Sequence, residues 1–415
     1  MVKCCLPQRH FQSNPKTPMP LIDTVLQKMS TVLKPQRRFL VVILTTLMYL
    51  PGKANFRNLS RYSELHEKTY SRWFRRSFDF VKFNRLSLAE VVTCGSAFAV
   101  AIDSSFIQKS GKNTYGLGYF YNSARGQAET GLEISTLALI DINYNTAYHL
   151  SSRQTPPLDP LKETRVDVYL KHLQQDSSAL PAGVRYVLAD GYYSKIKFIN
   201  GVRKLDLHLI SKLRHDAHLR WLYNGPQKPR GRPKQYDGKV HFHPHPGSRL
   251  EKVGEITGIP LYTAVVNSVH FKQNIRIAYL VKAVGKKIQT ALLYSTDVAL
   301  SALEIYRLYK ARFQIEFLFR DAKQFTGLLN SQARCKSALH FHFNASMTAL
   351  NLLKLEDRQR IEGSQRSVIS IASWKIRKFN EHVLRRFSSF LGLDFSLIKT
   401  SPEFENLCNY GAIAP

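Results

Sequence analysis

The sequence predicts a mixed α/β fold with helical regions at both ends of a strand-rich centre. Residues 1 to about 90, and again those beyond Leu300, carry apolar side chains at helical spacing. From Ala97 the pattern changes to short runs rich in β-branched and aromatic residues. After Lys212 a basic stretch holding Gly225, Pro226, Pro229, Gly231 and Pro233 breaks the pattern, and strand-like runs then resume. This order implies a sheet-and-helix core interrupted by a β-rich insertion.

The first region, residues 1–90, holds its most apolar run at Phe39 to Leu50, followed by Pro51 and Gly52. A bilayer span needs about 20 apolar residues, so this run is expected to be a buried helix, and no membrane partner is expected. Two short amphipathic patterns follow, Phe56 to Leu65 and Lys68 to Phe78, the second carrying Arg72, Arg75 and Arg76. A basic second helix suits a DNA-binding helix-turn-helix, although helices packed without DNA give the same pattern.

Residues 91–213 form the first part of the core. Strands are expected at Phe98 to Ile102, Leu132 to Ile142 and Ala147 to Gln154, a helix at Glu163 to Gln175, and a strand at Tyr186 to Ala189 that closes on Asp190. The insertion, residues 214–299, has further strand-like runs at Ile259 to Val266, Ile275 to Val281 and Ile288 to Leu293. Residues 300–335 return to helix and complete the core. The C-terminal region, 336–415, has helical runs at Leu339 to Leu355 and Ile369 to Leu391, which would join subunits or touch DNA.

The charge is unusual: 60 Lys and Arg face 30 Asp and Glu, a formal net charge of +30. A chain this basic repels itself unless a polyanion neutralises it, and nucleic acid is the commonest polyanion; a basic solubility surface is the alternative. The five cysteines, Cys4, Cys5, Cys94, Cys335 and Cys408, show no paired metal-ligand spacing and no disulfide density, which fits a reducing cytoplasm.

Asp103 and Asp190 each follow a predicted strand, where side chains face the crevice that binds ligands in open sheets. Each is followed by a small residue, Ser104 and Gly191. Taken singly, an aspartate there is more often a turn or helix cap. A third array is more specific: Tyr309, Arg312, Glu316 and Lys323. At about 100° per residue, the last three fall about 300°, 340° and 320° from Tyr309, so one helix places all four on one stripe. Its neighbours Phe313, Ile315, Phe317, Leu318 and Phe319 imply burial, and buried charge needs a partner. An Arg312–Glu316 pair would account for two of the four.

This array resembles the signature of the insertion-sequence transposases known by the letters YREK, the fourth insertion-sequence family within the DDE group. The surroundings match too: Leu293-Tyr-Ser-Thr-Asp297, Arg312-Phe-Gln-Ile-Glu-Phe-Leu-Phe-Arg-Asp-Ala-Lys323, Ala101-Ile-Asp-Ser-Ser105 and Ala189-Asp-Gly-Tyr-Tyr193. The resemblance implies an RNase H-like catalytic core. It implies catalytic and metal-holding roles for Asp103, Asp190 and Glu316, with two Mg²⁺ ions that Mn²⁺ can replace. Tyr309, Arg312 and Lys323 match positions that grip DNA phosphates, and Arg320, about 20° from Tyr309, joins their face. The expected partners are double-stranded DNA, as terminal inverted repeats and as target, and a second copy of the chain assembled on it. The expected location is the cytoplasm, at a bacterial nucleoid.

The basic stretch Lys228-Pro-Arg-Gly-Arg-Pro-Lys234 contains Arg230, Arg232 and Lys234 beside Gly and Pro. Such arginines suit a narrow minor groove, and a solvated basic loop accounts for them equally well. The rival functions are a domesticated RNase H-like nuclease or recombinase, and a sequence-specific DNA-binding protein with an inactive triad.

Overall fold

A computed structural model of the chain describes residues 21–92, 96–159, 161–242, 249–284, 287–360 and 370–413. Five helices come first: α1 (Leu21–Gln27), α2 (Lys34–Tyr49), α3 (Phe56–Arg61), α4 (Glu67–Trp73) and α5 (Phe80–Val91). Then follow β1 (Phe98–Gln108), β2 (Gly118–Asn122), β3 (Gln127–Asp141), β4 (Thr146–Thr155), α6 (Arg165–Asp176), β5 (Tyr186–Leu188), α7 (Ile196–Arg203) and β6 (His208–Leu213). Residues 214–299 supply β7 (Leu219–Leu222), β8 (Tyr236–Lys239), β9 (Glu251–Ile256), β10 (Ile259–Ser268), β11 (Gln273–Val284) and β12 (Lys287–Ser295). The chain ends in α8 (Ala302–Ala311), α9 (Gln314–Phe325), α10 (Lys336–Arg360), α11 (Ile371–Phe390), α12 (Phe395–Lys399) and α13 (Glu403–Cys408).

Among the described residues all 12 strands join one mixed sheet. The core order is β4-β3-β1-β5-β6, antiparallel except that β5 runs parallel to both β1 and β6. Strands β7 to β12 continue this sheet, because β12 pairs with β6 from Leu292↔Leu213 to Ser295↔Ile210. Alternation along β1 divides the core between the two faces. Ala99, Ala101 and Ile107 pack with the N-terminal helices, α9 and α10, whereas Val100 and Ile102 pack with α6 and α7.

The apolar run beginning at Phe39 is buried as expected, and Phe39 and Phe74 both meet Phe341 of α10. The second short helix differs from its expected bounds. It stops at Trp73, its C-cap is Phe74, and Asp79 then caps α5, leaving Arg75 and Arg76 in the connection. Phe74, buried at the cap, fixes that exit.

The edge strand β4 is covered in an unusual way. Asn344 of α10 accepts from the Ser152 amide and donates to its carbonyl, both at 2.9 Å. Two turns on, Asn351 does the same for His149 at 2.7 Å, and Lys354 donates to the Ala147 carbonyl. These bonds satisfy an edge that would otherwise be buried with unpaired backbone groups.

Cys335 is exposed and Cys408 buried, while Cys4, Cys5 and Cys94 lie outside the described residues. Among the described residues no helix is long and apolar enough to cross a membrane.

Candidate catalytic site

Asp103 lies in mid-strand rather than at a strand end. β1 runs on to Gln108 because β3 keeps pairing with it, with Asp103 opposite Thr136. On its other side the parallel partner stops earlier, the last pair being Ala101↔Leu188. Asp103 therefore stands just past the end of β5, on the face that Ala99 and Ala101 bury against the helices. Asp190 follows the end of β5 and caps a short 3₁₀ turn, its carboxylate accepting from the Tyr192 amide at 2.9 Å. The cap and the site are thus compatible roles for one residue. Ser211 of β6 donates to the Asp190 carbonyl at 2.7 Å, and Tyr294 of β12 donates to Ser194, at the end of the turn, at 3.1 Å.

The array from Tyr309 to Lys323 occupies two helices instead of one. α8 ends at Ala311, and i→i+3 bonds from Arg312 to Tyr309 and from Glu316 to Phe313 carry the chain through a tight turn into α9. Ile315, Leu318, Phe319 and Ala322 are buried, but Phe313 and Phe317 are exposed, so burial of this segment is one-sided. The Arg312–Glu316 pair forms, at 2.9 Å.

The charges bring these elements together. Burial raises the Asp103 carboxyl to about 7; Asp190 adds to this, and Arg312 opposes it while Glu316 reinforces it. Asp190 is also raised by burial, with Arg312 lowering it and Glu316 raising it. Burial works against the Arg312 cation, but Tyr309, Glu316 and Asp103 outweigh burial and raise it. Burial likewise raises Tyr309, whose ring lies 5.3 Å from the Arg312 guanidinium. Asp103, Asp190, Arg312, Glu316 and Tyr309 thus form one electrostatic cluster.

The remaining expected residues sit apart. Lys323 lies two turns beyond Glu316, where burial lowers its ammonium. Arg320 is largely exposed and pairs with Asp321 at 3.0 Å. Arg72, Arg75 and Arg76 are exposed on and after α4. Arg230 and Arg232 are exposed between β7 and β8, while Lys234 pairs with Asp237. β7 is the sixth strand along from β1, roughly 30 Å away at about 4.8 Å per strand.

Among the described residues no three His, Cys, Asp or Glu side chains are grouped to hold a metal ion. Glu316 is engaged by Arg312. The donor set nevertheless suits a hard divalent cation: carboxylate oxygens, two of them raised by burial, in a site served by one guanidinium. The groups that support these acids carry no motif in the sequence. Tyr193 is buried beside Asp103 and Asp190 with its hydroxyl unpartnered, and Ser211 and Tyr294 brace the Asp190 turn. In the sequence only Gly191, directly after Asp190, signals that turn.

Residues 99–352, more than half of the chain, match the model of the transposase DDE domain family. The chain belongs to that family. No curated protein matches it. The matched span of the transposase domain begins in β1 and ends in α10, so it takes in Asp103, Asp190 and Glu316 together with the inserted strands. The mixed α/β sheet with helices at both ends is the architecture of an RNase H-like transposase domain.

Proposed function

We propose that this chain is the transposase of an insertion sequence in the YREK group, and that it binds terminal inverted repeats as a dimer, cuts there and joins the ends to target DNA. The observation that carries this reading is the placement of Asp103 and Asp190 just past the last pair of β1 with β5, Ala101↔Leu188, with Glu316 of α9 in the field of Asp103. Asp103, Asp190 and Glu316 would hold two Mg²⁺ ions, or Mn²⁺ in their place. Bound there, the ions supply an activated oxygen nucleophile and stabilise the departing oxygen in an in-line displacement at phosphorus.

The protein's own groups orient the reaction. The Asp190 carboxylate is oriented by the Tyr192 amide, while Ser211 holds the Asp190 backbone carbonyl. Arg312, held by Glu316, Tyr309 and Phe313, presents a fixed positive charge suited to a phosphate beside the acids. Tyr309, Lys323 and Arg320 extend that grip along the two helices. Residues 1–90, with Arg72, Arg75 and Arg76, are assigned to repeat binding. The insertion 214–299, with Arg230, Arg232 and Lys234, is assigned to backbone contact. Residues 91–213 and 300–335 are assigned to chemistry, and 336–415 to packing and assembly. A nucleoid location follows from the substrate.

Asp103→Asn, Asp190→Asn and Glu316→Gln should each abolish Mg²⁺-dependent cleavage of DNA carrying the repeats that flank the gene, with specific binding retained. Near-normal cleavage by any one of them removes that residue from the site. The rival reading, a DNA-binding protein with an inactive triad, has the Arg312–Glu316 pair in its favour; binding without cleavage by the unaltered chain would select it.

A further inference from the structure

Strand β2 carries Tyr119 and Tyr121 with 75% and 59% of their surface exposed, while Phe120 between them is buried at 2%. Alternation puts both tyrosines on one face, about 7 Å apart at 3.4 Å per residue. Their cross-strand partners are Thr130 and Ala128, small and exposed, so the neighbouring strand leaves the rings bare. Two bare aromatic rings side by side are an expensive surface to leave in water without a partner.

The sheet register ties this face to the acid site. Asp103 opposes Thr136, Ile107 opposes Leu132 and Tyr119 opposes Thr130, and residues 128, 130, 132 and 136 alternate onto one side of β3. The tyrosines thus share the sheet face of Asp103, about 20 Å along it at about 3.3 Å per residue. The ground between is basic. Lys109 donates to the Ser331 carbonyl, the Tyr115 amide bonds the Arg334 carbonyl, and the Lys336 ammonium lies 5.5 Å from the Tyr115 ring. Neither 104–128 nor 322–355 contains an acidic residue.

We propose that Tyr119 and Tyr121 form a stacking platform for unpaired DNA bases. A single strand leaving the acid site would pass its phosphates over Lys109, Arg334 and Lys336 and lay successive bases on the two rings. This deepens the transposase reading and rests on it. Stacking on a ring accepts any base, because every base has a π-face, and cations spaced along the path meet the backbone charge.

The test uses the full chain with a labelled oligothymidylate of about 12 nucleotides, and a blunt duplex of the same length as reference. Tyr119→Ala and Tyr121→Ala should each weaken single-strand binding at least about fivefold and leave duplex binding unchanged, while Tyr119→Phe and Tyr121→Phe bind as the unaltered chain does. Unchanged single-strand affinity in the alanine variants overturns the platform, as does an equal loss on both DNAs. A shift in sedimentation without loss of single-strand binding would assign the face to a second copy and also overturn it. If the unaltered chain binds neither DNA, the transposase reading itself fails.

Discussion

Arg312 and Glu316 form an ion pair at 2.9 Å in which the guanidinium side chain is 6% exposed and the carboxylate side chain 46%. The buried partner has more to lose. Arg312 also opposes the rise that burial causes at Asp103 and Asp190, so one cation serves three carboxylates. Replacing Arg312 with Gln should cost about 2 kcal/mol, less than a fully buried pair because Glu316 reaches water. The double variant Arg312→Gln, Glu316→Gln should recover part of that loss. Urea unfolding of the four chains gives the coupling, and a value near zero would mean that the pair has no energetic role.

Asp103 gives a pH dependence with a definite sign. Its carboxyl is raised from 3.8 to about 7, so the folded chain binds its proton more tightly than the unfolded chain does. Stability is therefore lost as pH climbs from about 4 to about 7, and the loss persists above that. Without divalent ions, Asp103→Asn should melt higher than the unaltered chain at pH 8, by a few kcal/mol at most, and the two should converge near pH 4. Equal melting at both pH values would refute the burial of this charge.

The covering of β4 by α10 makes a stability prediction far from the acids. Asn351→Leu removes both partners of the His149 backbone while keeping the site closed to water. Each buried group left unpaired costs about 1–3 kcal/mol, so the urea midpoint should fall with little change in slope. Asn344→Leu should act alike at Ser152. A loss well under 1 kcal/mol in both would show that water reaches this edge.

Two exposed basic regions should fail differently on DNA. Alanine at Arg72 or Arg75 should narrow the discrimination between the flanking repeat and a scrambled duplex by about 1–3 kcal/mol, if a base contact is lost. Alanine at Arg230 or Arg232 should weaken both duplexes together and flatten the salt dependence, as loss of phosphate contacts does. Lys234 is a poorer probe because Asp237 already pairs with it. Titrations at several salt concentrations check this, and the opposite pattern would exchange the two roles.

Much of the scaffold is legible in the sequence because its strands carry their own signals. The runs at Phe98, Leu132, Ala147 and Tyr186 are β-branched or aromatic and lie in strands. β2 and β6 are not legible: β2 is a short run from Gly118 to Asn122, and β6 carries the polar His208, Ser211 and Lys212 because it is held by β5 and β12 rather than by its own pattern. The break between α8 and α9 has no Pro or Gly to announce it. The meeting of Arg312 with Asp103 and Asp190 is a tertiary fact that helical spacing alone does not contain. The paired bonds of Asn344 and Asn351 are likewise hidden, since asparagine in mid-helix ordinarily signals weakness.

The pairing of β6 with β12 has a consequence for how the chain is made. A ribosome releases β5, β6 and the Asp190 turn well before β12, so Tyr294 is not yet there to brace Ser194, and the outer edge of β6 faces solvent until Leu292 emerges. Glu316 arrives later still. A nascent or broken chain that stops between β6 and β12 would carry an open strand edge and lack Glu316, and that edge would be prone to pair with other chains.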